Sequence, residues 1–287
     1  LRNADTTLYN IPVALEFPEG TTADSIINGI KATIAAHPSM SFTFDSVEGI
    51  PSQIVKTTEY NIVPKKVNAD EWEQFKQDFI KPFDLKEGPL ARFEVVECEG
   101  KMHLLADIHH LVADGMSIDL FINDLLASME GKEIEAEGMS YIAYALQQKA
   151  NEATPAFAHS KAFFAEQLKD FQTSTEIPAD KNGEAADGNL AGVTVPVDFD
   201  AVNTYATRLG VTPAAVFLAA TYYTVARFTN SKQVYLGTIS NGRSNLDISN
   251  TMGMFVGTLP LASLIADQTV DDYVKQCGDN FAQTLEN

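Results

Sequence analysis

The chain has 287 residues, 45% of them hydrophobic, and carries 39 acidic against 20 basic side chains, for a net charge of −19. That hydrophobic content is enough for a real core, and the length suits one large domain or two lobes. So acidic a surface repels phosphate backbones and anionic bilayers, which argues against nucleic acid or a membrane as partner. No apolar run approaches the roughly 20 residues of a membrane-spanning helix.

Residues 9–17 alternate partially and read as a strand. Residues 22–36 read as a helix, with Ile26, Ile27, Ile30 and Ile34 at helical spacing and Pro38 ending it. Residues 41–44 and 52–55 suggest a hairpin turning at Glu48-Gly49, and 70–80 a short amphipathic helix stopped by Pro82. Two strong strands follow at 90–97 and 102–108, joined through Glu99-Gly100. Helices are expected at 117–129, where Ile118, Phe121, Ile122 and Leu125 make one apolar face, and at 139–152 and 155–171.

Residues 173–192 are rich in Ala, Asp, Glu, Gly and Asn without periodicity, and are read as a linker between a first lobe at 1–172 and a second at 193–287. The second lobe is expected to open with a strand at 193–197. A helix at 213–228 follows, capped by Thr212 with Pro213 at its first position. Strands at 234–239 and 255–261 and a helix at 270–285 complete it.

The two cysteines, Cys98 and Cys277, lie far apart without CxxC spacing, so no disulfide is expected and a reducing cytoplasm is the expected compartment. Glu97 and Glu99 flank Cys98 and disfavour its thiolate. The chain opens on Leu1 with no basic-then-apolar leader, and is read as a fragment without a signal peptide.

The informative segment is 108–117, Ile-His-His-Leu-Val-Ala-Asp-Gly-Met-Ser. A strand delivers His109 and His110 to its end, and alternation turns their side chains to opposite faces. That geometry argues against a shared metal ion, and no further ligands stand at suitable spacing, so no metal is expected. His110 is the candidate for a reaction cavity; a hydrogen-bonded core histidine is the competing reading. Asp114 either orients a histidine or pairs with a distant arginine to hold the loop. Gly115 permits a strained backbone or a close substrate approach. His37 and His159 are read as structural or solvated. The sequence lacks a GxSxG elbow, a phosphate-binding Walker loop and a GxGxxG turn.

With its HHxxxDG signature, this segment resembles the condensation domains of nonribosomal peptide synthetases, in the chloramphenicol acetyltransferase-like superfamily. Four further blocks agree in order. Ala36-His37-Pro38 is similar to the RHExLRTxF block, and Pro82-Phe83-Asp84-Leu85 with Gly88-Pro89-Leu90 to PFDL…GPL. Residues 140–148 resemble the SYxDYAxWQ helix, and 237–243 with 253–261 the G…GR…GMFVNTLPL region. Two positions depart from the pattern: Ser41 stands at the usual arginine of the second block, and Gly257 at the usual asparagine after GMFV. Cyclisation relatives carry aspartates in place of the histidines. Epimerisation relatives carry EGHGRE where this chain has residues 240–244, so plain condensation is favoured.

The resemblance implies a two-layer α/β (α+β) sandwich of two chloramphenicol acetyltransferase-like lobes with the active-site channel between them. It also implies that the opening block and the later part of the second lobe are missing. It implies amide formation centred on His110, and a structural Asp114–Arg243 pair across the lobes. Ser117 and Gly257 are expected along the substrate channel. The implied partners are donor and acceptor peptidyl carrier domains and an adjacent adenylation domain. Phosphopantetheine would be borne by the carriers, with no cofactor bound directly. The competing functions are a non-catalytic recruiting platform of the same fold and a stand-alone acyltransferase of the superfamily.

Overall fold

The computed structural model describes residues 6–56, 58–171, 175–178, 192–243 and 245–287. The chain divides into two compact units, one formed by residues 1–149 with 241–256, the other by 150–240 with 257–287.

In the first unit β1 (Asn10–Glu16), β4 (Lys65–Lys66), β5 (Ala91–Cys98) and β6 (Lys101–His109) form a four-stranded sheet in the order β1-β6-β5-β4. β6 pairs antiparallel with both neighbours; Asn10 stands opposite His109, and Ala91 opposite Ile108. The β5–β6 hairpin turns through Glu99 and Gly100, both at positive φ (51° and 77°), the geometry a two-residue primed turn demands. β2 (Phe42–Val47) and β3 (Ile50–Val55) form a second hairpin, whose turn residues Glu48 and Gly49 take the same conformation.

α1 (Ala23–Ala36) is capped by the Thr22 side chain on the Ser25 N–H, and α3 (Gly115–Met129) packs against it. Ile26, Ile30, Phe121 and Leu125 of these helices meet Leu90, Leu104, Ala106 and Ile108 of the sheet in one core. Full burial of each large aliphatic or aromatic side chain contributes about 1.5–3 kcal/mol. Residues 104–109 of β6 are buried without alternation. α2 (Trp72–Phe79) also packs on β6, with Trp72 against His103, and Phe83, beyond the end of that helix, stands against His109. A strand covered on both sides reads as a continuous apolar run.

The first unit also holds most of α4 (Tyr141–Asn151), and the second unit holds α5 (Pro155–Leu168), α6 (Phe199–Leu209) and α7 (Pro213–Thr229). The antiparallel pair β7 (Gln233–Ser240) and β8 (Gly257–Leu264) and α8 (Val270–Glu286) complete it. Tyr222, Val225, Val234, Leu261, Tyr273, Val274 and Cys277 form its core. Cys98 and Cys277 are both free and buried.

One expected strand is corrected, and one helix was not foreseen. Residues 193–197 form no strand: Val193, Val195 and Val197 are exposed, and no strand among the described residues pairs with them. α6 was not foreseen, although it carries the usual punctuation, an Asp198 cap on the Ala201 N–H and Gly210 in the left-handed conformation. The boundary expected at 173–192 falls mostly outside the described residues, and the compact units exchange chain instead at 149/150 and at 241–256.

Candidate active site

β6 ends at His109, and the chain then turns through residues 110–113 into α3. Two backbone bonds set this exit: the His109 N–H donates to Leu90 O at 2.8 Å, and the His110 N–H to Tyr9 O at 2.8 Å. The residues that lead into the two strands flanking β6 therefore hold the position of the histidine pair.

His109 is buried, with Phe83 edge-on at 5.9 Å and Tyr9 at 6.3 Å between ring centroids. Its Nδ1 accepts the Leu111 N–H at 3.1 Å, which fixes the ring as the tautomer protonated at Nε2. Burial, reinforced by neighbouring His110, pushes its pKa down to about 4, so the ring is neutral at pH 7. His110 is half-buried. Its Nδ1 is shielded from solvent and has no hydrogen-bond partner among the described residues, which leaves Nε2 as the nitrogen open to a reactant. Among the described residues no cluster of three or more His, Cys, Asp and Glu is disposed to hold a metal ion.

Asp114 is wholly buried and is the N-cap of α3. Its Oδ1 accepts from the Ser117 N–H at 2.9 Å, the Ser117 hydroxyl at 2.8 Å and Arg243 Nη2 at 3.1 Å; its Oδ2 accepts from the Phe255 N–H at 3.1 Å. Both oxygens are engaged, and neither histidine is among their partners. Of the two roles left open by the sequence, the geometry selects pairing with arginine over orientation of a histidine.

The Arg243 side chain is nearly as buried, at 3% exposed. Its Nη1 donates to Ile248 O at 2.9 Å and Thr251 O at 2.6 Å, its Nη2 to Asp114 and to Ser117 Oγ at 3.1 Å, and its guanidinium lies 4.1 Å from the Phe255 ring centre. The pair was expected to cross between lobes. Arg243 instead belongs to the same compact unit as Asp114, because segment 241–256 leaves the second unit's strand pair and packs with the first.

Ser117, expected along a channel, is wholly buried. Its Oγ contacts Asp114 and Arg243, accepts the Gly253 N–H at 3.0 Å and lies 2.9 Å from Gly253 O, so its hydrogen-bonding capacity is spent inside the protein. Gly115 is the exposed first residue of α3 without positive φ, and a methyl group there would enter open space; the strained-backbone reading fails, and close approach of a reactant remains. Gly257 is exposed at the start of β8 opposite Ser240, in the second unit.

Two glycines of segment 241–256 are steric requirements. A Cβ on Gly253 would lie 2.1 Å from the Tyr141 ring, whose hydroxyl donates to Met254 O at 2.8 Å. Gly242 has φ +65°, and its Cβ would lie 2.0 Å from Phe255 O.

The sequence reading missed three features of this site: Asp114 as helix cap, Ser117 as the bridge to Gly253, and the buried partners of His37. The first was signalled by an aspartate directly before a periodic apolar run. The other two join residues more than eighty positions apart and left no local trace.

The condensation domain family model matches residues 2–287, and the chain belongs to that family. It is 27% identical over 286 residues to Bacitracin synthase 1 of Bacillus licheniformis, a match covering 97% of this chain but 5% of that protein. The chain thus spans a small fraction of the length of such relatives. In fold it is similar to the condensation domain of Monacolin K polyketide synthase (TM-score 0.83, 16% identity, 100% of this chain and 70% of that one). It is similar too to an epimerization domain of tyrocidine synthetase (TM-score 0.82, 19% identity, 98% and 70%). The fold is therefore the chloramphenicol acetyltransferase-like fold of condensation domains.

Proposed function

We propose that this condensation domain forms amide bonds between two carrier-bound substrates in a nonribosomal peptide synthetase, with His110 as its catalytic residue. The observation that carries the reading is the division of labour in the HHxxxDG turn. Asp114 is engaged by cap and arginine contacts and His109 is held neutral with its Nδ1 on the Leu111 N–H, while neither ring nitrogen of half-buried His110 has a hydrogen-bond partner among the described residues.

In the reaction, the acceptor's amine nitrogen attacks the carbonyl carbon of the donor thioester. A C–N bond forms, the C–S bond breaks, and the donor's phosphopantetheine thiol leaves with a proton. His110 Nε2 accepts a proton from the attacking amine or holds it by hydrogen bond. The thioester is already activated, so holding the reactants together supplies much of the acceleration, and base assistance adds about 10²–10⁴. The proposed partners are donor and acceptor carrier domains and a neighbouring adenylation domain, in the cytoplasm. The low identity to both condensation and epimerization structures leaves the choice of chemistry to the site: the intact histidine pair supports condensation over cyclisation, and residues 240–244, which stand where epimerisation relatives carry EGHGRE, support it over epimerisation.

The test is product formation from two loaded carriers by the intact protein and its His110→Ala variant. Loss of product in the variant supports the reading. Equal turnover removes His110 from the chemistry. Donor racemisation without amide formation by the wild type replaces condensation with epimerisation.

A further inference from the structure

His37 lies at the C-cap of α1, wholly buried, with its backbone N–H on Thr33 O and Ile34 O. Both of its ring nitrogens face carboxylates. Nε2 lies 2.7 Å from Asp124 Oδ2 of α3, and Nδ1 lies 3.0 Å from Glu137 Oε1. A neutral imidazole has one N–H and satisfies one of these contacts; the other would set a lone pair against a carboxylate oxygen. Only the imidazolium fits both.

Glu137 carries the clamp onward. The same Oε1 accepts the Met252 N–H at 3.1 Å. Around it the 136–139 stretch binds the same segment: Asn250 Nδ2 donates to Ala136 O at 2.7 Å, the Gly138 N–H to Asn250 Oδ1 at 3.1 Å, and the Thr251 hydroxyl to Met139 O at 2.6 Å. The residues flanking Met252 serve the site already described, Thr251 through its carbonyl on Arg243 and Gly253 through its N–H and carbonyl on Ser117. From His37 the path runs through Glu137, Met252 and Gly253 to Ser117, and ends on Asp114 at the exit of the histidine turn.

We propose that His37 is a positioning residue for His110: its imidazolium, held between Asp124 and Glu137, fixes residues 250–253 and through Ser117 and Arg243 the turn that carries the catalytic ring. This rests on the amide-forming role of His110. Asp124 from α3 and Glu137 from the 136–139 stretch are the titratable groups that face the ring. Burial opposes the charged ring, but the hydrogen bonds to Glu137 and Asp124 outweigh it and raise the pKa above the ordinary 6.5. A raised folded-state pKa means that the clamp holds in full at and below the ordinary histidine value and is released as pH rises through the folded one.

Hydrogen exchange of the 250–256 region of the intact protein, corrected for intrinsic rates between about pH 6 and 9, measures the clamp directly. Amide formation is followed in parallel. In the wild type, protection should fall as pH rises above the ordinary histidine range. In His37→Gln it should be about tenfold lower at neutral pH and independent of pH, with kcat down by about tenfold or more and KM for the acceptor little changed. Glu137→Gln keeps an acceptor for the Met252 N–H but removes one charge partner, and should lower the pH at which wild-type-like protection is lost.

Protection in the wild type that does not vary with pH overturns the proposal, even if His37→Gln fails to fold. So does an unchanged kcat in His37→Gln. A wild type that shows the protection transition but forms no amide overturns the amide reading instead, and leaves His37 as a structural clamp.

Discussion

Replacing Asp114 by alanine removes four accepted hydrogen bonds at one stroke. Two of them hold Ser117 at the start of α3, one holds the Phe255 N–H, and one is the charge partner of Arg243. Loss of an N-cap costs about 1 kcal/mol by itself. The larger effect is on Arg243, whose side chain is 3% exposed and would remain charged among the carbonyls of Ile248 and Thr251. Stripping one partner from a buried ion pair costs about 3–5 kcal/mol. That loss is a large fraction of the roughly 5–15 kcal/mol that separates folded from unfolded domains. Arg243→Ala alone should cost less, because Asp114 keeps its donors on Ser117 and Phe255. The assay is urea unfolding of wild type, Asp114→Ala, Arg243→Ala and the double variant. The expected outcome is a double variant little worse than Asp114→Ala, with a coupling of at least about 1 kcal/mol. Additive losses would show that the two charges do not interact, and the assignment of Asp114 as an arginine partner would be abandoned.

His110→Ala should lower amide formation by about 10²–10⁴ while melting within a few degrees of wild type, since its one buried polar atom makes no hydrogen bond; a large drop in melting temperature would restore the core-histidine reading. His109 makes a distinct pH prediction. Its folded-state pKa is about 4 against 6.5 unfolded, so the unfolded chain binds the extra proton on acidification, and about 3 kcal/mol should be lost between pH 6.5 and 4. A His109→Phe variant should flatten that part of the stability-against-pH curve, as read by chemical denaturation. Gly253→Ala should destabilise by about 1–3 kcal/mol through collision with the Tyr141 ring, and Tyr141→Ala should relieve it in the double variant. Gly115→Ala places its methyl in open space and should leave melting unchanged or slightly raised; a fall in turnover without a fall in stability would mark Gly115 as the point where a reactant passes close to the backbone.

The first unit was largely legible because its signals are local. The isoleucine period of α1, the Glu-Gly turns of both hairpins and the apolar face of α3 each announce an element within a dozen residues. The HHxxxDG turn was found in the same way. The second unit was read less well: α6 went unread although Val202, Tyr205, Ala206 and Leu209 stand at helical spacing, and the valines at 193–197 imitate a strand that has no partner strand among the described residues. Ser117 was misplaced for a different reason. A serine two residues after an active-site glycine looks accessible in a linear chain, and only the return of Gly253 and Arg243 to that point buries it. Local pattern finds elements, whereas the saturation of a polar side chain is set by what the tertiary fold brings to it.

The excursion of residues 241–256 into the first unit bears on how the chain is made. A ribosome releases Asp114 and the rest of the 1–149 portion well before it reaches Arg243, roughly ninety residues later. At typical synthesis speeds of about 5–20 residues per second, that is on the order of 5–20 s during which the α3 cap lacks its cationic partner and Ser117 lacks Gly253. The first unit therefore cannot complete its interior before most of the second has been translated, and a cut at 149 would strand a buried carboxylate rather than free an independent domain. The first unit waits on residues 241–256, and the histidine turn is among its last parts to set.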